Sequence, residues 1–213
     1  MGSDALTDTR FVGYRRKLIE NIRNLGVQDL ETLQIFDQVP RHIFLPEGVW
    51  PRAYEDAPIP IGYSQTASQP SLQAYYLSLL KPVATEKVLE IGTGSGYLTA
   101  LLASCSEHVT SIDIHSDFIG LATERLRVQN ISNVRLVEGD GAQGWPSSKP
   151  WDIVVLTGSV PTLPSAYRDI MAPGGRLAAV VGREPIMEAV SYTHLRAHET
   201  AADLVCRLLL EKK

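Results

Sequence analysis

Lys87-Val-Leu-Glu-Ile-Gly-Thr-Gly-Ser-Gly-Tyr97 is the stretch that decides the fold. A short apolar run enters a glycine-rich turn, and the turn opens onto a helical pattern. Val88, Leu89 and Ile91 suit a strand buried on both faces, as in a parallel sheet covered by helices. Gly92, Gly94 and Gly96, with Thr93 and Ser95 between them, let the backbone bend tightly and approach a ligand where a Cβ would clash. The third glycine of a dinucleotide fingerprint would fall at position 97, which is Tyr97, and the acid Glu90 precedes the turn. A pyrophosphate favours helix N-terminal amides with no carboxylate beside them. An acid here suits a cationic ligand without phosphates, and S-adenosyl-L-methionine, with its ammonium and sulfonium, is the candidate. The alternative is a glycine turn that only joins strand to helix.

Downstream, strand and helix alternate. Residues 97–103 read as a crossover helix and 108–113 as a second strand ending in Asp113. That acid lies about twenty residues past the turn, where a nucleotide-binding βαβ unit places its ribose carboxylate. Ser116 or Asp117 can cap a helix through Gln129, and residues 133–138 make a third strand. Gly139-Asp140-Gly141 follows; an acid between glycines can accept from an adenine amino group, and is equally a plain turn. Residues 151–157 form a continuous apolar strand, 164–171 a short helix, 173–175 a turn and 176–181 a fifth strand. The expected fold is α/β: a doubly wound, mostly parallel Rossmann-like sheet with helices on both faces and its site at the strand C-termini.

Residues 1–82 read as an N-terminal helical and loop extension, ahead of a core spanning 83–189. Phe11, Tyr14, Leu18, Ile22 and Leu25 recur at helical spacing, with Gly26 as a stop. Asp29 caps a second helix carrying Leu30, Leu33, Phe36 and Val39, which ends at Pro40. From 40 to 70 the chain is long, proline-rich and without clear period, as functional or disordered segments are; its Phe44, Trp50, Tyr54 and Tyr63 argue against disorder. Ser68 stands at or near the N-cap of a helix carrying Leu72, Tyr76 and Leu80, and spacing alone prefers a capping role for it.

Composition bounds the rest. The 213 residues carry a formal net charge of −4 and no basic footprint, so a nucleic-acid partner is not expected. No apolar run spans a bilayer and the N-terminus lacks a basic-then-apolar leader, so a cytoplasmic location without membrane attachment is expected. Cys105 and Cys206 form no metal or redox spacing, and no metal site is expected.

Beyond Glu188 the character changes. Residues 190–213 look like one reading frame of a transposase-type sequencing adapter, with Ala201 and Ala202 at a variable index and the closing lysines from a run of A bases. On that reading the native portion ends near residue 189, the core is incomplete, and the sheet is left with an open edge that weakens the chain's stability and activity. His194, His198 and Cys206 are then not to be read as metal ligands.

The chain resembles the protein-L-isoaspartate O-methyltransferases. The resemblance rests on Val39-Pro-Arg41 with Phe44, Ala53-Tyr-Glu-Asp56, Pro60-Ile-Gly62, Gln65-Thr-Ala-Ser-Gln-Pro70, the glycine turn, Gly139-Asp-Gly141 with Gly144, and Gly174-Gly175. It implies methyl transfer from S-adenosyl-L-methionine to the α-carboxylate of isoaspartyl residues in damaged proteins. The methyl ester collapses to a succinimide, whose hydrolysis partly restores the normal linkage. By the same resemblance Ser68 lies at the methyl-transfer site and Gln65, Thr66 and Ala67 line the pocket beside it. Glu90 and the Gly92–Gly96 loop take the methionine end, Asp113 the ribose with Ile114 beside it, and Asp140 with Gly141 the adenine. A monomer is expected. By the resemblance, Ser64 stands where glycine is usual, Ala67 where isoleucine is usual, and Thr157-Gly-Ser159 where Thr-Ala-Ala is common; Ser64 and Ala67 are expected to alter the pocket's shape while leaving cofactor binding intact. The alternatives are the same scaffold acting on RNA or a small molecule, and a non-catalytic binding fragment.

Overall fold

The computed structural model describes residues 9–147, 149–183, 186–193 and 206–210. A 3-10 turn at Thr9–Phe11 leads into α1 (Val12–Asn24), and Gly26 at φ +105° ends the run. Helix α2 (Leu30–Gln38) is capped as expected: Asp29 accepts from the Thr32 amide at 2.9 Å and from its hydroxyl at 2.6 Å. The irregular stretch is ordered as two 3-10 turns, Arg41–Phe44 and Glu47–Arg52, followed by a hairpin of β1 (Ile59–Gly62) and β2 (Gln65–Ala67). Helix α3 (Pro70–Leu80) follows directly.

The core alternates as expected: β3 (Lys87–Ile91), α4 (Tyr97–Ala103), β4 (His108–Asp113), α5 (Ser116–Val128), β5 (Val134–Glu138), β6 (Trp151–Val160), the single turn α6 (Ala166–Asp169) and β7 (Met171–Arg183). Strands β8 (Ile186–Thr193) and β9 (Cys206–Leu210) complete a seven-stranded sheet of order β5-β4-β3-β6-β7-β8-β9. The first five strands in that order pair in parallel, and β8 and β9 add antiparallel pairs. The chain reverses its direction of winding between β3 and β6, which opens a crevice at their C-terminal ends.

Successive residues of a strand point to opposite faces, and the core divides accordingly. Val88, Val109, Ile153 and Val155 pack with Leu18, Ile22, Phe36, Tyr76, Leu101 and Leu126 of α1 to α5, so the N-terminal helices share one core with the sheet. Leu89, Ile112, Val154 and Leu177 pack on the other side with Tyr167, Met171 and the partly buried Trp145 and Trp151. Helices on both faces were expected, but among the described residues this second face has only α6. Gly139, Gly141, Gly144, Pro146 and Pro150 interrupt the β5–β6 connection and exclude a longer helix there.

The sheet does not stop at β7, where an open edge was expected. Ala179 pairs with Val190 and Arg176 with Thr193, so β8 runs past residue 189. Val190 and Ser191 are buried on it. The physical reason is general: an exposed strand edge offers backbone donors and acceptors to any following segment of adequate β propensity, and Val-Ser-Tyr-Thr has it.

Candidate functional site

At the crevice, Gly92 leaves β3 at φ +100° and its amide donates to the Ile112 carbonyl at 2.7 Å. A Cβ at Gly92 would stand 2.1 Å from Thr157 Oγ1, which itself donates to the Gly92 carbonyl at 2.8 Å. The glycine is therefore what lets β6 close against the turn. Gly96, at φ +82°, heads α4, and its hypothetical Cβ would meet the Ala122 Cβ at 2.9 Å. Its task is to seat α4 on α5.

Two acids frame the turn. Asp113, 7% exposed at the end of β4, accepts from the Gly94 amide through Oδ2 at 2.8 Å and from the His115 amide through Oδ1 at 2.9 Å. Glu90 is fully buried; Oε2 accepts from the Thr99 hydroxyl at 2.5 Å, and Oε1 has no hydrogen-bond partner among the described residues. Burial pushes the Glu90 carboxyl up to about 7; the Thr99 and Ser111 hydroxyls hold it down in part, and the neighbouring Asp113 charge adds to the rise. Across the crevice, Asp140 Oδ1 accepts from the Ala142 amide at 2.8 Å, and the Tyr167 hydroxyl donates to the Gly141 carbonyl. A side chain at Gly141 would meet Ile91 at 2.6 Å, so the chain runs close over β3 there.

The β1–β2 hairpin forms the opposite wall. Its turn residues Tyr63 and Ser64 sit at φ +50° and +55°, the left-handed pair of a tight hairpin. Tyr63 stacks on His115 with centroids 4.3 Å apart and planes at 20°, and its hydroxyl donates to Asp117. These contacts fasten the hairpin to the start of α5. Arg41, fully buried, anchors the other end: its guanidinium donates to the carbonyls of Ala53 at 2.8 Å, Glu55 at 3.3 Å and Ser68 at 2.9 Å. Burial lowers its pKa to about 10, which leaves it cationic at neutral pH.

Ser68 does not cap α3. The N-cap is Gln69, and the Ser71 amide is taken by Asp56 Oδ1 at 2.8 Å. The Ser68 hydroxyl makes no hydrogen bond among the described residues, and the capping role preferred from spacing belongs to a residue twelve positions upstream, whose approach only the folded loop reveals.

A cavity of about 300 Å³ lies between these walls, the lower end of the range for small-molecule sites. It is lined by Gln65, Thr66, Ala67, Ser68, Glu90, Gly92, Thr93, Gly94, Ser95, Asp113, Ile114, Asp140 and Gly141, which are all the residues singled out in the sequence except Gly96. Sequence reasoning missed Gln73, His115, Phe118 and Leu156. Gln73 sat within the helical pattern of α3, where periodicity ranks polar residues as outward; His115 and Phe118 carried no spacing signal. Thr157 and Gly158 form a bulge of β6, since Leu156 pairs with Ala179 and Ser159 with Val180, and the bulge turns the chain into the cavity. Among the described residues, no group of three His, Cys, Asp or Glu could hold a metal ion, and no helix is long and apolar enough to cross a membrane. His194 and His198 lie outside the described residues.

A parallel sheet with an acid-led glycine turn at its crevice and acids after the next two strands defines a Rossmann-like methyltransferase domain. The fold agrees with two solved structures. One is a Plasmodium falciparum protein assigned as a protein-L-isoaspartate O-methyltransferase and solved with S-adenosyl-L-homocysteine (TM-score 0.76, 21% identity, 92% of this chain and 94% of that one). The other is a protein-L-isoaspartate O-methyltransferase (TM-score 0.76, 24% identity, 93% of this chain and 64% of that one). The sequence is 40% identical to the protein-L-isoaspartate O-methyltransferase of Xanthomonas campestris pv. campestris strain B100, over 90% of this chain and 84% of that protein. It is 41% identical to protein-L-isoaspartate O-methyltransferase 1 of Marinobacter nauticus, over 80% and 78%. The profile of the protein-L-isoaspartate(D-aspartate) O-methyltransferase family matches residues 14–203. The chain belongs to that family.

Proposed function

We propose that the chain transfers a methyl group from S-adenosyl-L-methionine to the α-carboxylate of L-isoaspartyl residues in damaged proteins, as a repair step. One observation carries this reading: Ser68 and the Gln65–Ala67 strand wall the same cavity as Glu90, the glycine turn, Asp113 and Asp140. The residues fit the cofactor. A buried carboxylate with an unpartnered oxygen favours a cation, Asp113 stands where a ribose diol would donate, and Asp140 faces the cavity beside a glycine that leaves room for a ring.

When bound, the cofactor supplies an electrophilic methyl on its sulfonium. The chain's residues have little acid–base work to do, because an α-carboxylate is already ionised at neutral pH. Alignment and exclusion of water are the tasks that remain. The uncommitted Ser68 hydroxyl can donate to one carboxylate oxygen and leave the other free to attack. Arg41 fixes the Ser68 backbone from behind, and the Tyr63–His115 stack holds the hairpin over the cavity mouth.

The test is labelled methyl transfer to an isoaspartyl peptide and to its aspartyl twin of the same sequence. Methylation confined to the isoaspartyl form is expected; equal labelling of both, or of neither while RNA or a small molecule is labelled, overturns the reading.

A further inference from the structure

Arg125 is a charged residue on the core side of α5. It is 7% exposed, while its neighbours Glu124 and Arg127 pair with each other in solvent at 2.8 Å. No carboxylate meets the Arg125 guanidinium among the described residues, and burial lowers its pKa with no opposing charge to raise it. A buried cation without a counter-ion is costly, and an apolar side chain of similar length would spare that cost. Its one hydrogen bond runs from Nη1 to the Ser95 carbonyl at 2.9 Å.

That carbonyl belongs to the glycine turn, so opposite charges grip two neighbouring residues of it: Asp113 Oδ2 accepts from the Gly94 amide at 2.8 Å, and Arg125 donates to Ser95. The Gly96 amide closes the turn on the Thr93 carbonyl at 2.9 Å. Ala122, three residues before Arg125 on α5, packs against Gly96, where a Cβ would come within 2.9 Å of it. Charge-assisted hydrogen bonds are roughly twice as strong as neutral ones, and they hold a peptide plane in one orientation. Thr93, Gly94 and Ser95 all line the cavity, whereas Arg125 does not.

We infer that Arg125 is a positioning residue for the cofactor: by holding the Ser95 carbonyl it sets the last peptide of the glycine turn in the orientation that takes the methionine end of S-adenosyl-L-methionine. The inference rests on the proposed function for its ligand. It accounts for a buried charge that has no carboxylate, since the partner is a backbone dipole that the ligand site depends on. It also separates Arg125 from Arg41, which gathers three carbonyls of the loop before α3. Arg125 serves one carbonyl, and a single donor head can do that.

The experiment compares wild type, Arg125→Met and Arg125→Lys. Calorimetry gives their affinities for S-adenosyl-L-homocysteine and for 5′-methylthioadenosine, which lacks the amino-acid end; ligand-free melting temperatures and the kinetics of isoaspartyl-peptide methylation are read in parallel. Methionine keeps the aliphatic stem and removes the donor, so affinity for S-adenosyl-L-homocysteine should weaken about ten- to a hundredfold, the loss typical of a hydrogen bond to a charged group. Methylthioadenosine should lose less than about threefold. Arg125→Lys should recover most of the loss. In Arg125→Met the KM for S-adenosyl-L-methionine should rise while kcat and the peptide KM stay within about threefold, because Ser68 and the hairpin wall are untouched. The ligand-free melting temperature should move by less than about 5 °C, since removal of an uncompensated buried charge offsets the lost hydrogen bond. Full affinity in Arg125→Met would reduce the residue to packing and overturn the inference. So would equal losses for the two ligands, a lysine variant no better than the methionine one, a fall in kcat with affinity unchanged, or a melting temperature that drops by about 10 °C or more. Failure of the wild-type chain to bind either ligand would instead sink the proposed function.

Discussion

The Arg41 guanidinium and the Ser68 carbonyl, 27 residues apart in sequence, meet at 2.9 Å. The same guanidinium also holds the carbonyls of Ala53 and Glu55, so one buried cation gathers three turns of an otherwise aperiodic loop. Lysine has one donor head in place of a planar fork and cannot serve all three. Arg41→Lys should cost about 2–4 kcal/mol in urea unfolding. Methyl transfer should fall further than affinity for S-adenosyl-L-homocysteine, because the displaced segment carries Ser68 while the glycine turn is untouched.

Glu90 gives the site two opposed pH dependences. Its folded carboxyl titrates near 7 against an ordinary value of 4.5, so between those limits the folded chain binds more protons than the unfolded one. Its contribution to stability is full at low pH, declines as pH rises through that window, and levels off above it. The span is on the order of 3 kcal/mol. A cationic ligand favours the ionised form, so S-adenosyl-L-homocysteine affinity should climb by up to about tenfold per pH unit below 7 and plateau above. Melting and titration calorimetry between pH 5 and pH 8, with Glu90→Gln flattening both curves, test the pair.

Two glycines on the cavity wall should behave oppositely. Gly92→Ala drives a Cβ to 2.1 Å from Thr157 Oγ1 at φ +100°, and should abolish ligand binding and cost about 3 kcal/mol or more. At Gly158 no atom lies within 4 Å of a built Cβ and the backbone is not left-handed. Gly158→Ala should leave methyl transfer within about threefold and stability unchanged or slightly higher. The second position of the Thr157-Gly158 bulge then tolerates a side chain.

Ser64 pays the usual penalty of a side chain at positive φ, +55° in the hairpin turn. Ser64→Gly should stabilise the chain by about 0.5–1 kcal/mol in urea, with no loss of cofactor affinity.

The strands and the turn were readable because Val88, Leu89 and Ile91 must be apolar to be buried on both faces and because Gly92 admits no substitute against Thr157. Asp113 was readable because the length of one βαβ unit fixes its offset. The loop before α3 was not, since its order comes from contacts between residues far apart, such as Arg41 with Ser68 and Asp56 with Ser71, which leave no period. Gln73 was hidden for a related reason: helical spacing says which face a residue occupies, while the cavity reaches over that face. The C-terminal segment remains a proposal of its own. An adapter origin for residues 190–213 predicts that the gene, resequenced across codon 189, carries a different continuation; recovery of the same codons from genomic DNA overturns it. The pairing of β8 past that point is compatible with either origin, because a strand ladder is made of backbone.

Asp113 has one further implication. Both its oxygens are engaged before any ligand arrives, one by Gly94 and one by His115. The carboxylate proposed to meet the ribose is thus also the clasp that gives the glycine turn its shape. Recognition and foldedness are entangled in a single side chain, and drift toward a different nucleoside cannot begin there without loosening the loop. Variation in what this scaffold accepts has to start elsewhere, on the hairpin wall, where Gln65, Thr66 and Ala67 line the cavity.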